Sequence, residues 1–286
     1  MGTITQALTK SAQRFGAEVR LSTPVKQILI EDGKVVGVET ASGHKIQCRV
    51  VASGVEANVT FNRLVGPDLV PADFMERVNH IKYRGAALKF NAALNELPDF
   101  KASPGKMGPQ HTGSVDISVS MDYMERAFDD AKYGSFSKHP FIEMLFQSTM
   151  DSTVAPPGKH TMTCFVQYVP EKFSSGSWEE NKPKVAETVI STIEEYAPNI
   201  RKALLQYQVL GPEDFEKNLG LTGGSIFQGD ITPDQLFSFR PVPCWSQYRM
   251  PVDGLYMCGS AVHPGGGVVG APGYLAASTI VRDIKA

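Results

Sequence analysis

The residues best suited to chemistry are the glycines of the segment HPGGGVVGAPG, at positions 263–273. The apolar run LYMCGS (255–260) precedes this segment, and YLAASTIVRDI (274–284) follows it with the spacing of a helix. A strand, a glycine loop and a helix N-terminus in that order present a concave row of backbone N–H groups, to which the helix dipole adds partial positive charge. The segment therefore predicts a site for an anion or a polarised carbonyl, although glycines that only let a turn pack against a helix would give the same pattern.

Gly265, Gly267 and Gly270 also match the GxGxxG pattern of dinucleotide-binding folds, but their context does not fit it. Only residues 271–286 follow the last of these glycines. A second strand that ends in a ribose-binding acid has no room there, so the pattern is not interpreted as a Rossmann fingerprint.

Several side chains are candidates for catalysis or binding, and each has a structural alternative. His263 could polarise a bound group, or its side chain could be satisfied by backbone. Arg240 could pair with a carboxylate or a phosphate of a ligand, or form a structural ion pair. Trp178 lies in a loop-like stretch and could cover a cavity, but a surface or packing role suits it better. Three further residues could line a cavity or simply pack in the core: Phe227, Gln228 and Phe239.

Nothing in the sequence indicates a covalent nucleophile or a metal site. The GxSxG pattern is missing, and the histidines and cysteines are scattered without a CxxC pair, so reduced thiols are expected. The chain has 286 residues and a net charge of -2, and it has no apolar run long enough to span a membrane. This balance gives no reason to expect a nucleic acid partner, and the segment MGTITQALTK has no apolar centre typical of a secretory signal.

The N-terminal region predicts a helix followed by short strands. The predicted elements are the helix 3–15 and the strands 17–21, 25–31, 34–40 and 44–53. Thr3 is the expected N-cap of the helix and Gly16 its stop. Asp32-Gly33 between two β-rich runs indicates a hairpin.

The middle of the chain predicts an antiparallel sheet with helices, because its β-rich runs are widely spaced. These runs are 85–94, 141–149, 160–169 and 204–210. A helix is predicted at 183–197, and composition predicts loops at 101–113 and 171–183. Pro272 suits the first turn of the helix that follows the glycine loop.

Two segments together resemble the phytoene desaturase and amine oxidase superfamily. Residues 1–53, from MGTITQALTK to RVVAS, resemble its second flavin-domain segment, and CGSAVHPGGGVVGAPG (258–273) resembles its C-terminal flavin motif. The stretch GGSIFQGDITPDQLFSFRP (223–241) is similar to one branch, which holds bacterial phytoene-dehydrogenase-like proteins and the animal pyridine nucleotide-disulphide oxidoreductase domain-containing protein 2. The resemblance covers nearly the whole chain.

The resemblance implies the fold class α/β (α+β). The expected architecture is an incomplete two-lobed FAD/NAD(P)-binding fold that lacks its first Rossmann segment and carries an antiparallel-sheet-plus-helix substrate lobe. Residues 1–65 and 240–286 would form the partial FAD-binding domain, and residues 66–239 the substrate-binding domain. The family's true GxGxxG and its ribose-binding acid do not occur in this sequence.

The resemblance also implies cofactor contacts. Val25 would contact the adenine side through its backbone, and Gly259 and Ser260 would lie by the ribityl chain and the pyrophosphate. The residues along the isoalloxazine would be Gly267, Val268, Gly270, Ala271, Pro272 and Gly273. His263, the candidate catalytic residue, would lie near the ring. Many relatives have an acid where Ser260 stands, so this contact would bring a hydrogen bond without a charge.

Two functions are expected from this combination. In the first, the full protein is an FAD-dependent oxidoreductase that transfers a hydride from a small, lipophilic substrate to flavin. It would work in a reducing compartment inside the cell (cytoplasmic in a bacterium, mitochondrial in an animal), with peripheral membrane contact. In the second, this chain, shortened at its N-terminus, is a non-catalytic interaction module that forms a homo-oligomer without cofactor.

Overall fold

The computed structural model describes residues 2–84, 87–105 and 107–285, which fall into two compact units. Unit 1 consists of Met1–His80 and Phe237–Ala286, and unit 2 of Ile81–Leu236. Both units combine helices and sheets, which confirms the mixed α/β class. The domain limits inferred from the family resemblance remain a prediction.

Unit 1 begins with helix α1 and a three-stranded antiparallel sheet in the order β1-β2-β3. The elements are α1 (Gly2–Arg14), β1 (Val25–Glu31), β2 (Lys34–Thr40) and β3 (Lys45–Gln47). The turn residues Asp32 and Gly33 have φ values of 48° and 74°. Positive φ at both central positions matches the twist of the flanking strands, so the predicted hairpin is confirmed.

A second sheet of unit 1 joins two strands that are far apart in sequence. Strand β4 (Val51–Ser53) pairs in parallel with β10 (Leu255–Met257). The prediction of one strand over 44–53 is therefore wrong, because the chain leaves the first sheet after Gln47 and pairs again elsewhere. All three residues of β10 are buried, and this burial favours the second pairing.

The remaining helices of unit 1 are α2 (Ala57–Val59), which continues as a π-helix (Thr60–Val65), α3 (Ala72–Asn79) and α8 (Ala271–Lys285). Phe61 and Trp245 both contact the core residue Phe74 edge-to-face, at centroid distances of 4.7 and 5.3 Å. The last helix and the place of Pro272 in its first turn agree with the sequence prediction.

Two predictions for the N-terminal region are wrong. Thr3 does not cap α1, because the helix already includes Gly2. Residues 17–21 form no strand, since none of the described residues pairs with them and a strand needs such a partner for its backbone groups. Helix α1 itself buries no residue.

Unit 2 is built on a five-stranded antiparallel sheet in the order β6-β7-β8-β5-β9, which confirms the predicted sheet type. Its strands are β5 (Ala87–Leu94), β6 (Val115–Ile117), β7 (Phe141–Leu145), β8 (His160–Gln167) and β9 (Leu204–Leu210). Strand β7 is shorter than predicted because Gln147–Thr149 forms a 3-10 turn, and β6 has no counterpart in the prediction. The first two residues of the predicted strand 85–94 lie outside the described residues.

The helices of unit 2 are α4 (Met121–Lys132), α5 (Trp178–Tyr196), α6 (Ile200–Ala203) and α7 (Pro212–Leu219). Helix α5 begins five residues earlier than the predicted 183–197, so the predicted loop 171–183 is wrong in its second half. Ser177 and Glu180 form a reciprocal capping box, with hydrogen bonds of 3.2 and 2.7 Å between each side chain and the other's backbone N–H. Trp178 is therefore a first-turn residue of α5, and its side chain is 1% exposed in the core.

Helix α5 lies against the sheet with the buried side chains Val185, Val189 and Ile193. Their spacing of four residues keeps them on one face of the helix. Among the helices of the described residues, none is both long and apolar enough to cross a bilayer.

Candidate functional site

The glycine loop of unit 1 connects β10 to α8 and adopts a backbone that few residue types tolerate. Five of its residues have positive φ: Gly259 (85°), Gly265 (100°), Gly267 (130°), Val268 (61°) and Gly270 (68°). Positive φ is routine for glycine but costly for a β-branched residue such as Val268. Strain of this kind persists where the surrounding structure imposes it, and it is concentrated at binding sites.

The loop and the first turn of α8 face open space. A Cβ added at Gly267, Gly270 or Gly273 would meet no atom within 4 Å. None of the amides from Gly266 to Gly270 donates a hydrogen bond to another described residue, and the first helical bond of α8 runs from Tyr274 N to Gly270 O at 3.0 Å. The amides at this helix N-terminus therefore remain available to an external acceptor, with room for a planar group beside them.

The surroundings of these amides are apolar. The side chains of Val268, Val269 and Tyr274 are mostly exposed on the loop and on the first turn of α8. Apolar surface beside a row of free amides suits an aromatic ring that carries polar atoms along one edge. The arrangement fits the isoalloxazine contacts that the family resemblance implies for Gly267, Val268 and Gly270 to Gly273.

Gly259 has a structural reason to be glycine. A Cβ at this position would lie 2.8 Å from the carbonyl oxygen of Gly54, at the end of the neighbouring strand β4. Glycine is needed here so that the ends of β4 and β10 approach each other, whatever else the residue contacts. The next residue, Ser260, is half-buried, and its carbonyl oxygen accepts a hydrogen bond from Arg240 Nε at 3.1 Å.

Arg240 is 4% exposed and bonds to the loop backbone from inside unit 1. This contact supports a structural role, in which the guanidinium fixes the loop just after Gly259. No pairing of Arg240 with a ligand is needed to explain its burial, because hydrogen bonds offset the cost of burying the charge.

His263 lies just before the first glycines of the loop and is half-buried. Its carbonyl oxygen accepts a hydrogen bond from the hydroxyl of Tyr248 at 3.0 Å. Its Nδ1 is buried and has no hydrogen-bond partner among the described residues. An unpaired buried nitrogen is costly, so an external group that bonded to it would gain affinity.

Val25 is separate from the loop residues in the described structure. It opens strand β1 opposite Thr40, and no hydrogen bond joins it to the glycine loop in the part of the chain that the structure describes. Its proposed adenine contact stays a prediction from the family resemblance.

A cluster that the sequence does not reveal holds α8 in place. Asp283 in the last turn of α8 accepts a hydrogen bond from the hydroxyl of Tyr256 in β10 at 2.7 Å, and it also pairs with Arg249. Burial, helped by the bond to Asp283, raises the pKa of Tyr256 to about 12. The hydrogen bonds from Arg249 and Tyr256 lower the pKa of Asp283.

Unit 2 contains a cavity of about 630 Å³, and Phe227 is in its wall. The other two cavity candidates of the sequence, Gln228 and Phe239, are not among its lining residues, and Phe239 belongs to unit 1. In the described residues, no three His, Cys, Asp or Glu side chains come together as metal ligands.

Known proteins match this chain over most of its length. Residues 2–115 match the DAO family model, described as FAD dependent oxidoreductase. Pyridine nucleotide-disulfide oxidoreductase domain-containing protein 2 of Rattus norvegicus is 38% identical over 293 residues, covering 100% of this chain and 50% of the relative. A lycopene-forming phytoene desaturase of Pseudescherichia vulneris is 25% identical over 293 residues, covering 99% of this chain and 55% of the relative.

Among solved structures, an oxidoreductase from Methanosarcina mazei superposes with a TM-score of 0.62 at 18% identity, covering 97% of this chain and 53% of that chain. This likeness supports the FAD/NAD(P)-binding fold. The chain spans about half the length of the curated relatives it matches. Residues 2–115 are thus similar to an FAD-dependent oxidoreductase domain, and the whole chain is homologous to the rat protein.

Proposed function

We propose that this chain is part of an FAD-dependent, phytoene-dehydrogenase-like enzyme that oxidises a small, apolar substrate. The observation that carries the proposal is the open glycine loop at the N-terminus of α8, where free amides and exposed apolar side chains lie together. Homology to flavin enzymes explains why such a loop would exist. A turn that only packed against its helix would instead bury these amides.

The residues proposed to hold FAD are Gly259, Ser260, Gly267, Val268, Gly270 to Gly273 and, through its backbone, Val25. When bound, FAD would accept a hydride from the substrate. The amides of the loop and of the first turn of α8 would donate hydrogen bonds to a bound group that gains negative charge, with support from the helix dipole. The exposed side chains of Val268 and Tyr274 would cover this group once it is bound.

His263 is proposed as a positioning or proton-holding group in this site. Its unpaired Nδ1 is available to a polar atom of the substrate or cofactor. A neutral imidazole can accept or donate a hydrogen bond at this atom, depending on its tautomer.

The test is flavin binding by the chain together with the part of the rat relative that it does not match, co-expressed or fused. We expect yellow protein whose FAD absorbance survives gel filtration. Gly273→Val should abolish this absorbance, because the new side chain enters open space beside the amides without backbone strain. Gly113→Val, in unit 2 and equally open, is the matched control and should retain FAD. If the wild-type chain folds but takes up no FAD, whether it is co-expressed with or fused to the missing part, the proposal is contradicted.

The exposed apolar surface of helix α1 favours a second candidate function, that of a self-associating module without cofactor. Helix α1 buries no residue: its Ile4 and Leu8 are 50% and 65% exposed, and Phe15, just after the helix, is 89% exposed. An amphipathic helix gains stability by burying its apolar side, so this surface favours association of the chain with a second copy. Light scattering should then show an oligomer that Leu8→Glu converts to monomer, and a monomeric wild-type chain would exclude this candidate.

A further inference from the structure

The cavity of about 630 Å³ lies entirely within unit 2, and its size is in the range of small-molecule sites. Its wall is formed by the end of α4, the segment just after β8 and the stretch 225–232. The last of these lies inside the GGSIFQGDITPDQLFSFRP segment, so a stretch singled out from sequence forms part of this wall.

One part of the wall is aromatic and aliphatic. Phe128 of α4 and Tyr168 contact each other edge-to-face at a centroid distance of 5.2 Å. Phe227 and Ile231 also line the cavity, and the side chains of Phe128 and Ile231 remain exposed to it or to solvent. Apolar side chains that are not covered by the core offer contact area to an apolar ligand.

The charged part of the wall has an excess of positive charge. Arg84 and Asp230 neutralise each other through a 2.6 Å ion pair, in which the Asp230 side chain is 9% exposed. Glu171 and Lys172 form a second ion pair, with 3.9 Å between Oε1 and Nζ, so their charges also balance.

Lys132 is the cation that remains. Among the described residues, no carboxylate lies within ion-pair distance of its ammonium group, which lies 5.3 Å from the ring centroid of Tyr133. Its long stem and three donors allow the ammonium to reach a negative group at the edge of an apolar ligand.

We infer that this cavity binds an amphipathic carboxylic acid, with its apolar body against Phe128, Tyr168 and Phe227 and its carboxylate at Lys132. A neutral hydrocarbon would gain nothing from the exposed ammonium of Lys132, and a cationic ligand would be repelled by it. The inference concerns unit 2 alone and does not depend on flavin.

The experiment is a calorimetric titration of the full chain, without added FAD, below the micelle-forming concentration of each probe. Dodecanoate, dodecanol and dodecyltrimethylammonium share one tail and differ in head-group charge. We expect dodecanoate to bind up to about fivefold more tightly than dodecanol, since an ion pair with an exposed ammonium contributes up to about 1 kcal/mol. The cationic probe should bind more weakly than both.

Variants locate the site. Lys132→Gln should reduce dodecanoate affinity by up to about fivefold and leave dodecanol affinity unchanged. Lys101→Gln, at an exposed lysine outside the cavity, is the matched control and should behave as wild type. Phe128→Ala should weaken both probes, with circular dichroism to confirm folding.

The inference is overturned if no probe binds, if dodecanol binds as tightly as dodecanoate, or if Lys132→Gln and Lys101→Gln have equal effects. None of these results bears on flavin uptake, which is measured separately, so the two proposals fail independently.

Discussion

Arg249 and Asp283 form a two-point ion pair, with 2.8 Å from Nε to Oδ2 and 2.7 Å from Nη2 to Oδ1. Arg249 bridges to Tyr256 of β10, whereas Asp283 lies in the last turn of α8. The pair therefore joins the strand before the glycine loop to the helix after it. Parallel hydrogen bonds of this kind fix orientation as well as distance, so the loop is held from both sides.

Replacing Asp283 tests this role. Asp283→Asn should lower the thermal midpoint of unit 1, because it removes the charge that Arg249 and Tyr256 share. Asp253→Asn is the control, since its 3.7 Å contact with Lys34 is exposed on both sides. Calorimetry on both variants decides the matter, and equal midpoints for Asp283→Asn and wild type would refute the claim.

The same pair predicts a pH dependence. Hydrogen bonds from Arg249 and Tyr256 lower the pKa of Asp283 in the folded chain. A carboxyl group with a lowered folded pKa contributes stability above its unfolded pKa of about 4 and loses it as pH falls through the folded pKa. Urea midpoints of wild type and Asp283→Asn should thus differ at pH 6 and converge in strong acid, and a gap that is constant with pH would argue against the assignment.

Gly259 and Gly43 provide a matched comparison of backbone and steric effects. Their φ values are 85° and 82°, but a Cβ at Gly259 would lie 2.8 Å from Gly54 O whereas one at Gly43 would meet nothing within 4 Å. Gly43→Ala should cost about 1–2 kcal/mol for the left-handed backbone alone. Gly259→Ala should lower the free energy of unfolding by clearly more than this, and should do so in the absence of cofactor. Chemical denaturation measures both, and equal losses would mean that the close approach of β4 and β10 tolerates a methyl group.

Trp178 should be a main stabilising residue of unit 2. Its ring is buried, and its Nε1 donates to the carbonyl oxygens of Pro170 and Glu171 at 3.2 and 3.0 Å. Trp178→Ala should lower the free energy of unfolding by about 3–5 kcal/mol, and Trp178→Phe by less, because it keeps most of the apolar contact. A loss below about 1 kcal/mol for the alanine variant would be typical of a surface residue and would contradict the packing described.

Local signals in the sequence predicted much of the fold. The Asp32-Gly33 turn, the β-rich runs around Phe90 and Cys164, and the helix after Pro272 depend on short-range backbone preferences, and the structure has them all. The capping box of Ser177 and Glu180 is equally local. It marks the start of α5, although the spacing of apolar residues alone predicts a later start. The wrong strands at 17–21 and 44–53 had strand-like composition, but their pairing depends on distant residues.

The candidate site also combines features that local sequence predicts with contacts that it does not predict. The loop and its helix follow from neighbouring residues, so the sequence alone predicts a loop containing Gly267 and Gly270 just before the last helix. The Arg249–Asp283 pair, the buried bond of Arg240 to Ser260 and the close approach of Gly259 to Gly54 each join residues far apart in sequence. No periodicity or motif marks such contacts, because they arise only when the chain has folded.

The parallel pairing of β4 with β10 sets an order of events on the ribosome. The ribosome synthesises residues 54–254 after β4 and before β10. Val51–Ser53 therefore cannot pair until Leu255–Met257 has been synthesised. At about 5–20 residues per second, the delay is roughly 10–40 s. An unpaired strand edge is a template for wrong partners during that time. Recombinant yield should therefore improve with chaperones that hold nascent chains more than with any change that only strengthens the finished fold.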